Sequence, residues 1–391
     1  MGVRANNPHN EYLIDLVRAA LLGEAVPTLP QECTPAAIGA LIRKQHLTNL
    51  VYSVVAAKPE LMALRMQLER DYLIQIPKVT NQDLEIQKWL DAAEAKGLDS
   101  IPLKGFLLRK LYPSPMMRSM TDLDVLIRSM DRPDVRQWME GLGYVAEDTH
   151  ELSHHDNYVK KPWMYMELHM HLMKPRPGRD ELEEKIWQRA TVLPGYKHIY
   201  QMSPEDFYVF HLLHLHKHFT SRGVGLKSVI DIHVFLKAYG AGLDRRYLKQ
   251  ELKALGIEEF GAYMERLANI LLGDAQGDAD TRMVADYMAD CGSFGTGRYH
   301  HILRMAETKG SGVTSRKLRY RLKLAFPGVK EMSKRFPSVS RVPFLLPFYW
   351  VAHIFRYLFR RKKRSGITDI TDDQFDAVNH ILTVTGASNG S

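Results

Sequence analysis

The spacing of apolar residues changes twice along this chain of 391 residues, and this change limits the folds available to it. Residues 11–75 and 204–307 carry apolar side chains three and four positions apart, a pattern that predicts amphipathic helices. Between them, residues 98–195 alternate short strand patterns with short helix patterns. Such alternation predicts one small mixed sheet with helical cover. We therefore expect an α+β protein with a mixed-sheet core and helical regions on both sides of it in sequence.

Local sequence signals place the boundaries between these regions. Gly97 is a helix C-cap candidate, and Ser203 followed by Pro204 and two acids predicts a new helix. The polar residues from 365 onward are typical of a disordered tail, and 309–314 of a linker. The predicted division is an N-terminal helical region over 1–97, a core over 98–195, a C-terminal helical domain over 196–308, a basic amphipathic segment over 309–364 and a polar tail over 365–391.

The cysteine content and the N-terminus favour the cytoplasm. Two cysteines far apart in sequence, Cys33 and Cys291, provide neither a disulfide framework nor the paired spacing of a zinc site. The first ten residues are polar and do not resemble the apolar centre of a signal peptide.

The net charge of +8 is concentrated in one segment. Residues 315–364 contain 15 Lys and Arg and one acid, so the rest of the chain is net acidic. An apolar stretch over 342–359 precedes a cationic run over 360–364, and this combination suits peripheral contact with anionic lipid at the inner membrane face. The alternatives are an aromatic stretch that docks on the main body and a solvated basic face. Nucleic acid is a weaker alternative because no stacking platform or binding motif accompanies the charge.

Two aspartates stand at the start of a predicted strand over residues 122–127. Side chains alternate between the faces of a strand, so Asp122 and Asp124 share one face while Leu123 and Val125 take the other. A carboxylate pair of this kind can hold divalent cations against a nucleoside triphosphate. The pattern alone also fits exposed acids at a strand end.

A third acid lies on a second predicted strand, over residues 163–172. The apolar side chains of this strand alternate with a polar face that includes Glu167 and His169. Glu167 would complete the metal site or take the proton of an acceptor hydroxyl, and we assign His169 a nucleotide contact. The alternative is a solvated polar face.

Three further residues are candidates for binding phosphate. Lys104 and Gly105 stand where a short strand ends and a helix begins, a place where backbone N–H groups bind phosphate. Arg118 precedes the aspartates by four residues and could clamp phosphate oxygens or lie on the surface.

The helix that starts at Pro204 carries several basic side chains. His211, His214 and His218 share one face by their three and four spacing, and Lys217 lies on its flank. We expect this face to cover the active cleft, where His214, Lys217 and His218 would contact the nucleotide or the acceptor. Helix packing is the alternative, and a structural zinc site a weaker one, because the chain lacks the His-Glu-x-x-His pattern.

Taken in order, these motifs resemble a known family. Leu103-Lys104-Gly105, Leu111-Tyr112-Pro113, Arg118, Asp122-Leu123-Asp124 and Glu167-Leu168-His169 are similar to the uncharacterised bacterial nucleotidyltransferases of the polymerase-beta-like superfamily. The resemblance covers roughly residues 30–360. It implies a small mixed sheet, Mg²⁺ or Mn²⁺ as cofactor, an acid pair at Asp122 and Asp124, a third acid at Glu167 and a phosphate-loop glycine at Gly105.

One departure from the family pattern leaves the activity open. The serine that usually accompanies the glycine is absent, since Lys104 precedes Gly105 and Phe106 follows it. The expected activity is transfer of a nucleoside monophosphate, with ATP as a candidate donor, to the hydroxyl of a small molecule, saccharide, peptide or protein, with two-metal catalysis and release of pyrophosphate. The alternatives are an inactive nucleotide-binding module and a membrane-surface scaffold.

Overall fold

The computed structural model describes residues 3–128, 130–148, 153–174, 178–306, 308, 313–333, 336–340, 342–359 and 370–388. Four helices precede the sheet, and Asn7 and Thr34 cap the first two with their side chains. The fourth helix ends at Gly97, which takes the left-handed conformation that suits a glycine C-cap. The helices are α1 Pro8–Leu22, α2 Pro35–Lys44, α3 Thr48–Ala56 and α4 Met62–Lys96.

The central region contains a five-stranded mixed sheet, in agreement with the predicted α+β class. The strands lie in the order β1-β2-β5-β4-β3, and only the β2–β5 pair is parallel. A separate two-stranded sheet follows. The elements are β1 Ser100–Pro102, α5 Gly105–Leu108, β2 Leu123–Ile127, α6 Arg132–Gly141, β3 Val145–Asp148, β4 His155–Lys160, β5 Met164–His169, α7 Arg179–Arg189, β6 Thr191–Val192 and β7 Tyr200–Gln201.

One face of the five-stranded sheet is apolar and packs against helices. Leu123, Val125 and Ile127 of β2 and Met164, Met166 and Leu168 of β5 are buried together with residues of α4 and α6, among them Ile86, Trp89, Val135 and Met139. Because side chains alternate along a strand, the polar residues of β2 and β5 point to the opposite face. Helical packing on one face thus leaves the other available for a site.

A second and larger core joins the N-terminal helices to the helices after the sheet. Ser203 caps the first of these by accepting a hydrogen bond from the backbone N–H of Asp206, as its sequence predicted. The helices are α8 Pro204–Phe219, α9 Lys227–Tyr239, α10 Arg245–Ala254, α11 Glu258–Leu272, α12 Ala279–Cys291 and α13 Gly297–Ala306.

The C-terminal part of the chain is also helical. It contains α14 Val313–Ala325, α15 Val329–Ser333, α16 Leu346–Phe359 and α17 Asp372–Val384. The tail was predicted to be disordered, and for α17 this prediction is wrong, because Phe375, Val378 and Ile381 are buried. The residues 309–312 of the predicted linker and the cationic run 360–364 lie outside the described residues. Among the described residues, no helix is both long and apolar enough to cross a membrane.

Two strand predictions need correction. The strand expected over 163–172 ends earlier, because β5 covers only Met164–His169. Strand β4 was not predicted at all, since its sequence, His-Asp-Asn-Tyr-Val-Lys, lacks both apolar alternation and a run of β-branched residues.

Candidate active site

The three predicted acids lie together on the polar face of the sheet. Strands β2 and β5 are parallel neighbours, and their register pairs Asp124 directly with Glu167. Asp122 immediately precedes β2, and the carboxylates of Asp124 and Glu167 are close enough to raise its pKa. All three side chains line one cavity of about 440 Å³.

Asp124 is the most tightly bound of these acids. Its side chain is 11% exposed, its Oδ2 accepts a hydrogen bond from Lys104 Nζ at 3.3 Å, and its Oδ1 lies 3.2 Å from His169 Nε2. Burial alone would raise the pKa of Asp124, but Lys104 and His169 outweigh burial and hold it well below its usual range. Asp124 is therefore ionised and ready to act as a metal ligand or an acceptor.

Asp122 has the opposite electrostatic environment. Burial, together with the neighbouring carboxylates of Asp124 and Glu167, raises the pKa of Asp122 to about 6. A divalent cation between these carboxylates would remove their mutual repulsion and favour the ionised form.

Lys104 connects the acids to the helix above them. Its Nζ lies 2.6 Å from His214 Nε2, and His214 Nε2 lies 2.9 Å from His218 Nε2. Burial and the charge of Lys104 hold the pKa of His214 well below its usual range and lower that of His218 to about 3. Both imidazoles are consequently neutral at physiological pH.

Arg118 lines the cavity but is bound by a carboxylate of the helical region. Its Nε and Nη2 donate to Asp231 of α9 at 2.7 and 2.9 Å, and Tyr112 also donates to Asp231, at 2.8 Å. A Cβ on Gly105 would come within 3.2 Å of Arg118 Nη1 and 2.8 Å of Met120 Sδ. Glycine at position 105 thus allows Arg118 and Met120 to pack closely on the start of α5.

Helix α8 lines the cavity across from the polar face of the sheet. Lys217 and His218 line it together with His211 and His214. Burial and the charge of Lys104 lower the pKa of Lys217 to about 8. Among the residues that the structure describes, five cationic side chains and four carboxylates border the cavity: Lys104, Arg118, Lys217, Arg222 and Lys227 with Asp122, Asp124, Glu167 and Asp231.

The structure brings all ten sequence-predicted site residues to this one cavity: Lys104, Gly105, Arg118, Asp122, Asp124, Glu167, His169, His214, Lys217 and His218. Sequence reasoning missed other residues that line it: His46, His154, His155, Arg222 and Lys227. The adjacent pair His154-His155 was the available signal, but without β4 nothing placed it beside β5. Burial together with the charge of Arg118 lowers the pKa of Lys227 to about 7.

The donor atoms of the cavity fit a metal ion. One ligand atom from each of Asp124, Glu167 and His169 lies within 4.8 Å of the others. Carboxylate and imidazole are ordinary ligands of divalent cations, and the pKa of Asp122 is raised by burial and, in addition, by the neighbouring carboxylates of Asp124 and Glu167.

Comparison with known proteins identifies the family but no individual relative. No curated protein matches the chain. No solved structure matches it either. A family model described as an uncharacterised nucleotidyltransferase matches residues 33–273, which is more than half of the chain. The chain therefore belongs to this family of uncharacterised nucleotidyltransferases.

Proposed function

We propose that the protein transfers a nucleoside monophosphate from a nucleoside triphosphate to a hydroxyl acceptor and releases pyrophosphate, with divalent cations bound by Asp122, Asp124 and Glu167. The observation that carries the proposal is the parallel register that sets Glu167 beside Asp124, with Asp122 two positions away, in one cavity. The family assignment supports nucleotidyl transfer in general. The small mixed sheet and the three acids lining one cavity are what the resemblance to the polymerase-beta-like superfamily implies.

The charges around the cavity suit a triphosphate with its cations. Lys104 and Lys217 border the cavity, and the pKa of Lys217 is depressed by burial and by Lys104. Polyphosphate oxygens between these cations would offset their repulsion. The acids on the sheet would repel the same phosphates unless metal ions lay between them. Both sets of charges are therefore accounted for by a metal-bound triphosphate.

The reaction breaks one phosphorus–oxygen bond and forms another. The acceptor oxygen attacks the α-phosphorus, and the bond to the bridging oxygen breaks, so that pyrophosphate leaves with the electron pair. Glu167, whose side chain is 31% exposed, would ligate the second cation or, as the alternative, receive the proton of the acceptor hydroxyl. Asp122 and Asp124 would hold Mg²⁺ or Mn²⁺, which supplies charge neutralisation at the attacking and leaving oxygens. Lys104, Lys217, His214 and His218 orient the phosphates from above.

The missing phosphate-loop serine leaves the triphosphate to other contacts. Helix α5 has only four residues, so its dipole gives little help at Gly105. In the proposed site the ammonium of Lys104 takes the place of the serine contact. Arg118, held by Asp231, then supports the loop before β2 instead of clamping phosphate.

The test is metal-dependent pyrophosphate release from each nucleoside triphosphate, with Mg²⁺, Mn²⁺ or a chelator, against a panel of hydroxyl acceptors that includes the protein itself. We expect Asp124→Asn to abolish pyrophosphate release, because a two-metal site loses its function when one carboxylate ligand is removed. The matched control is Asp134→Asn, an exposed acid of α6 in the same domain, which should retain full activity.

Two results would oppose the proposal. Full activity of Asp124→Asn would refute the assignment of the site. Tight binding of a nucleotide by calorimetry, with no pyrophosphate released for any acceptor, would favour the alternative of an inactive nucleotide-binding module.

A further inference from the structure

A group of histidines extends the acid cluster along the sheet. Strand β4 pairs with β5 in a register that sets His155 opposite His169 and Asn157 opposite Glu167. Paired residues share a face of the sheet, so the imidazole of His155 lies on the same face as Glu167 and Asp124. His155 Nδ1 lies 3.3 Å from His154 Nε2, and His155 Nε2 lies 3.8 Å from Glu167 Oε2.

The ligand atoms of these side chains are spaced for a common ion. One ring nitrogen from each of His154, His155 and His169 lies within 4.8 Å of the others. His169 also belongs to the group with Asp124 and Glu167, since its Nε2 lies 3.2 Å from Asp124 and 3.5 Å from Glu167. Nitrogen and oxygen donors thus adjoin each other along the pocket wall.

Buried ring nitrogens without partners provide an independent sign of a ligand. The side chains of His154 and His169 are 6% and 5% exposed, and the Nδ1 atom of each has no hydrogen-bond partner in the described part of the chain. A buried polar atom without a partner costs free energy. A metal ion bound to the cluster would use one nitrogen of each ring and orient the other towards the cavity or a water molecule.

We propose that His154, His155 and His169 bind a divalent transition-metal ion of the zinc or iron class, next to the carboxylates of Asp124 and Glu167. Imidazole suits these ions, whereas Mg²⁺ prefers an octahedron of oxygen ligands. Three histidines with an open position are also a recurring ligand set of catalytic zinc. A catalytic role of this ion rests on the proposed function. Binding of the ion to the three histidines does not, because it can be measured without the transfer reaction.

Cobalt(II) is a suitable probe because its visible absorption reports nitrogen ligation directly. The full-length protein, treated with chelator and dialysed, would be titrated with Co²⁺ and then with Zn²⁺ in competition, in the presence of excess Mg²⁺. We expect one Co²⁺ per chain with a visible band that Zn²⁺ removes and Mg²⁺ does not. His155→Gln and His154→Gln should each weaken binding by roughly 10–100-fold or more.

The controls separate this site from the fold and from the proposed activity. His198→Gln changes a half-exposed histidine outside the cavity and should bind Co²⁺ like the wild type. Circular dichroism checks that the variants fold, and His155, with its side chain 22% exposed, tolerates glutamine more easily than His154 does. Equal Co²⁺ affinity in wild type and in both pocket variants, or no Co²⁺ band at all, would overturn the proposal. Co²⁺ binding without pyrophosphate release would instead refute only the nucleotidyl transfer.

A separate surface points to a second interaction. Helix α16 exposes Phe348, Val351 and Phe355 at spacings of three and four, with Phe344 in the turn before it, and these side chains are 54–79% exposed. They form a continuous apolar face on a helix. A partly buried hydrogen bond holds the helix on another side, because Trp350 Nε1 donates to the carbonyl of Pro327 at 2.8 Å. Apolar exposure of this extent on one helix marks an interaction face.

The charge of the neighbouring helix indicates the partner. Arg321 and Lys323 of α14 are exposed, and by sequence the segment 315–364 carries 15 cationic residues and one acid. Exposed Leu318 and Leu322 add apolar surface to α14. An apolar helix face beside a cationic one suits the interfacial layer of an anionic bilayer. We infer that α14 and α16 form the membrane-contacting face of the protein, with α16 lying in the plane of the interface.

Vesicle sedimentation tests this surface. The full-length protein should sediment with vesicles of phosphatidylserine and phosphatidylcholine, and less with phosphatidylcholine alone or at high salt. The variant Phe348→Ser/Phe355→Ser should bind on the order of tenfold more weakly for each side chain removed. The control Met66→Ser/Leu73→Ser removes exposed apolar side chains from α4 and should leave binding unchanged. Equal sedimentation of both variants would overturn the inference, as would a dimer in solution that the α16 substitutions dissociate.

Discussion

Asp122 binds its proton more tightly in the folded protein than in the unfolded chain, because its pKa rises from 3.8 to about 6. A carboxyl with a raised folded-state pKa destabilises the fold when it ionises. Stability is therefore lost as the pH rises from about 4 to about 6, and the loss, on the order of 2–3 kcal/mol, remains at neutral pH. This cost is what a cation at the site would offset.

Asp122→Asn should consequently stabilise the metal-free protein at pH 8 by about 1–3 kcal/mol while removing its activity, because the amide carries no charge. The gain should shrink at pH 5, where the wild-type carboxyl is mostly protonated. Thermal or denaturant unfolding with and without Mg²⁺ measures both effects, and Mg²⁺ should stabilise only the wild type. A less stable Asp122→Asn variant at pH 8 would contradict the electrostatic account, with Asp134→Asn as the unaffected control.

At the same scale, the acid pair and the residues around it were predictable, but the contacts between them were not. Asp122 and Asp124 share a face because side chains alternate along a strand, which is a local rule. The partners that set their opposite pKa shifts come from distant elements, since Lys104 precedes α5 and His169 ends β5. Arg118 was assigned to phosphate from spacing alone, whereas its partner Asp231 lies 113 positions away in sequence.

Elements with a strong hydrophobic period could be predicted, and those held by tertiary contacts could not. Helix α8 has a side-chain N-cap, a proline at its first turn and a regular apolar spacing, so its start could be predicted to the residue. Strand β4 lies between β3 and β5, and backbone pairing on both edges stabilises it where its side chains give no strand signal. Missing β4 also concealed the histidine pair next to the acids.

Helix α17 is a second element that depends on tertiary contacts, and here the sequence predicted disorder where the structure has a helix. Its first turn has a capping box formed by Thr371 and Gln374, a local signal that the overall polarity of the tail obscured. Phe375 is buried beneath the guanidinium of Arg316, at 5.5 Å from the ring centroid. The polar composition of the tail predicted disorder, whereas three buried apolar side chains are enough to dock a capped helix on α12 and α13.

On the scale of the whole molecule, the cavity lies where the two cores meet, and one buried ion pair joins them. Arg118 belongs to the segment that enters the sheet, and Asp231 belongs to α9 of the helical region. Both side chains are less than 10% exposed, and two hydrogen bonds connect them. Burial raises the pKa of Asp231, but the guanidinium of Arg118 outweighs burial and holds it below its usual range.

Removing either partner should destabilise the protein strongly, because it leaves the other polar group buried without compensation. We expect Asp231→Asn and Arg118→Met each to cost about 3–5 kcal/mol, and the double variant to cost less than their sum by about 2–3 kcal/mol. Urea unfolding of the four proteins measures this coupling. The exposed pair Arg136–Glu140 of α6, at 3.0 Å, is the matched control and should couple by less than about 0.5 kcal/mol. If the coupling energies of the Arg118–Asp231 and Arg136–Glu140 pairs were equal, the buried pair would contribute little, and apolar packing would be the main interaction between the sheet and the helical region.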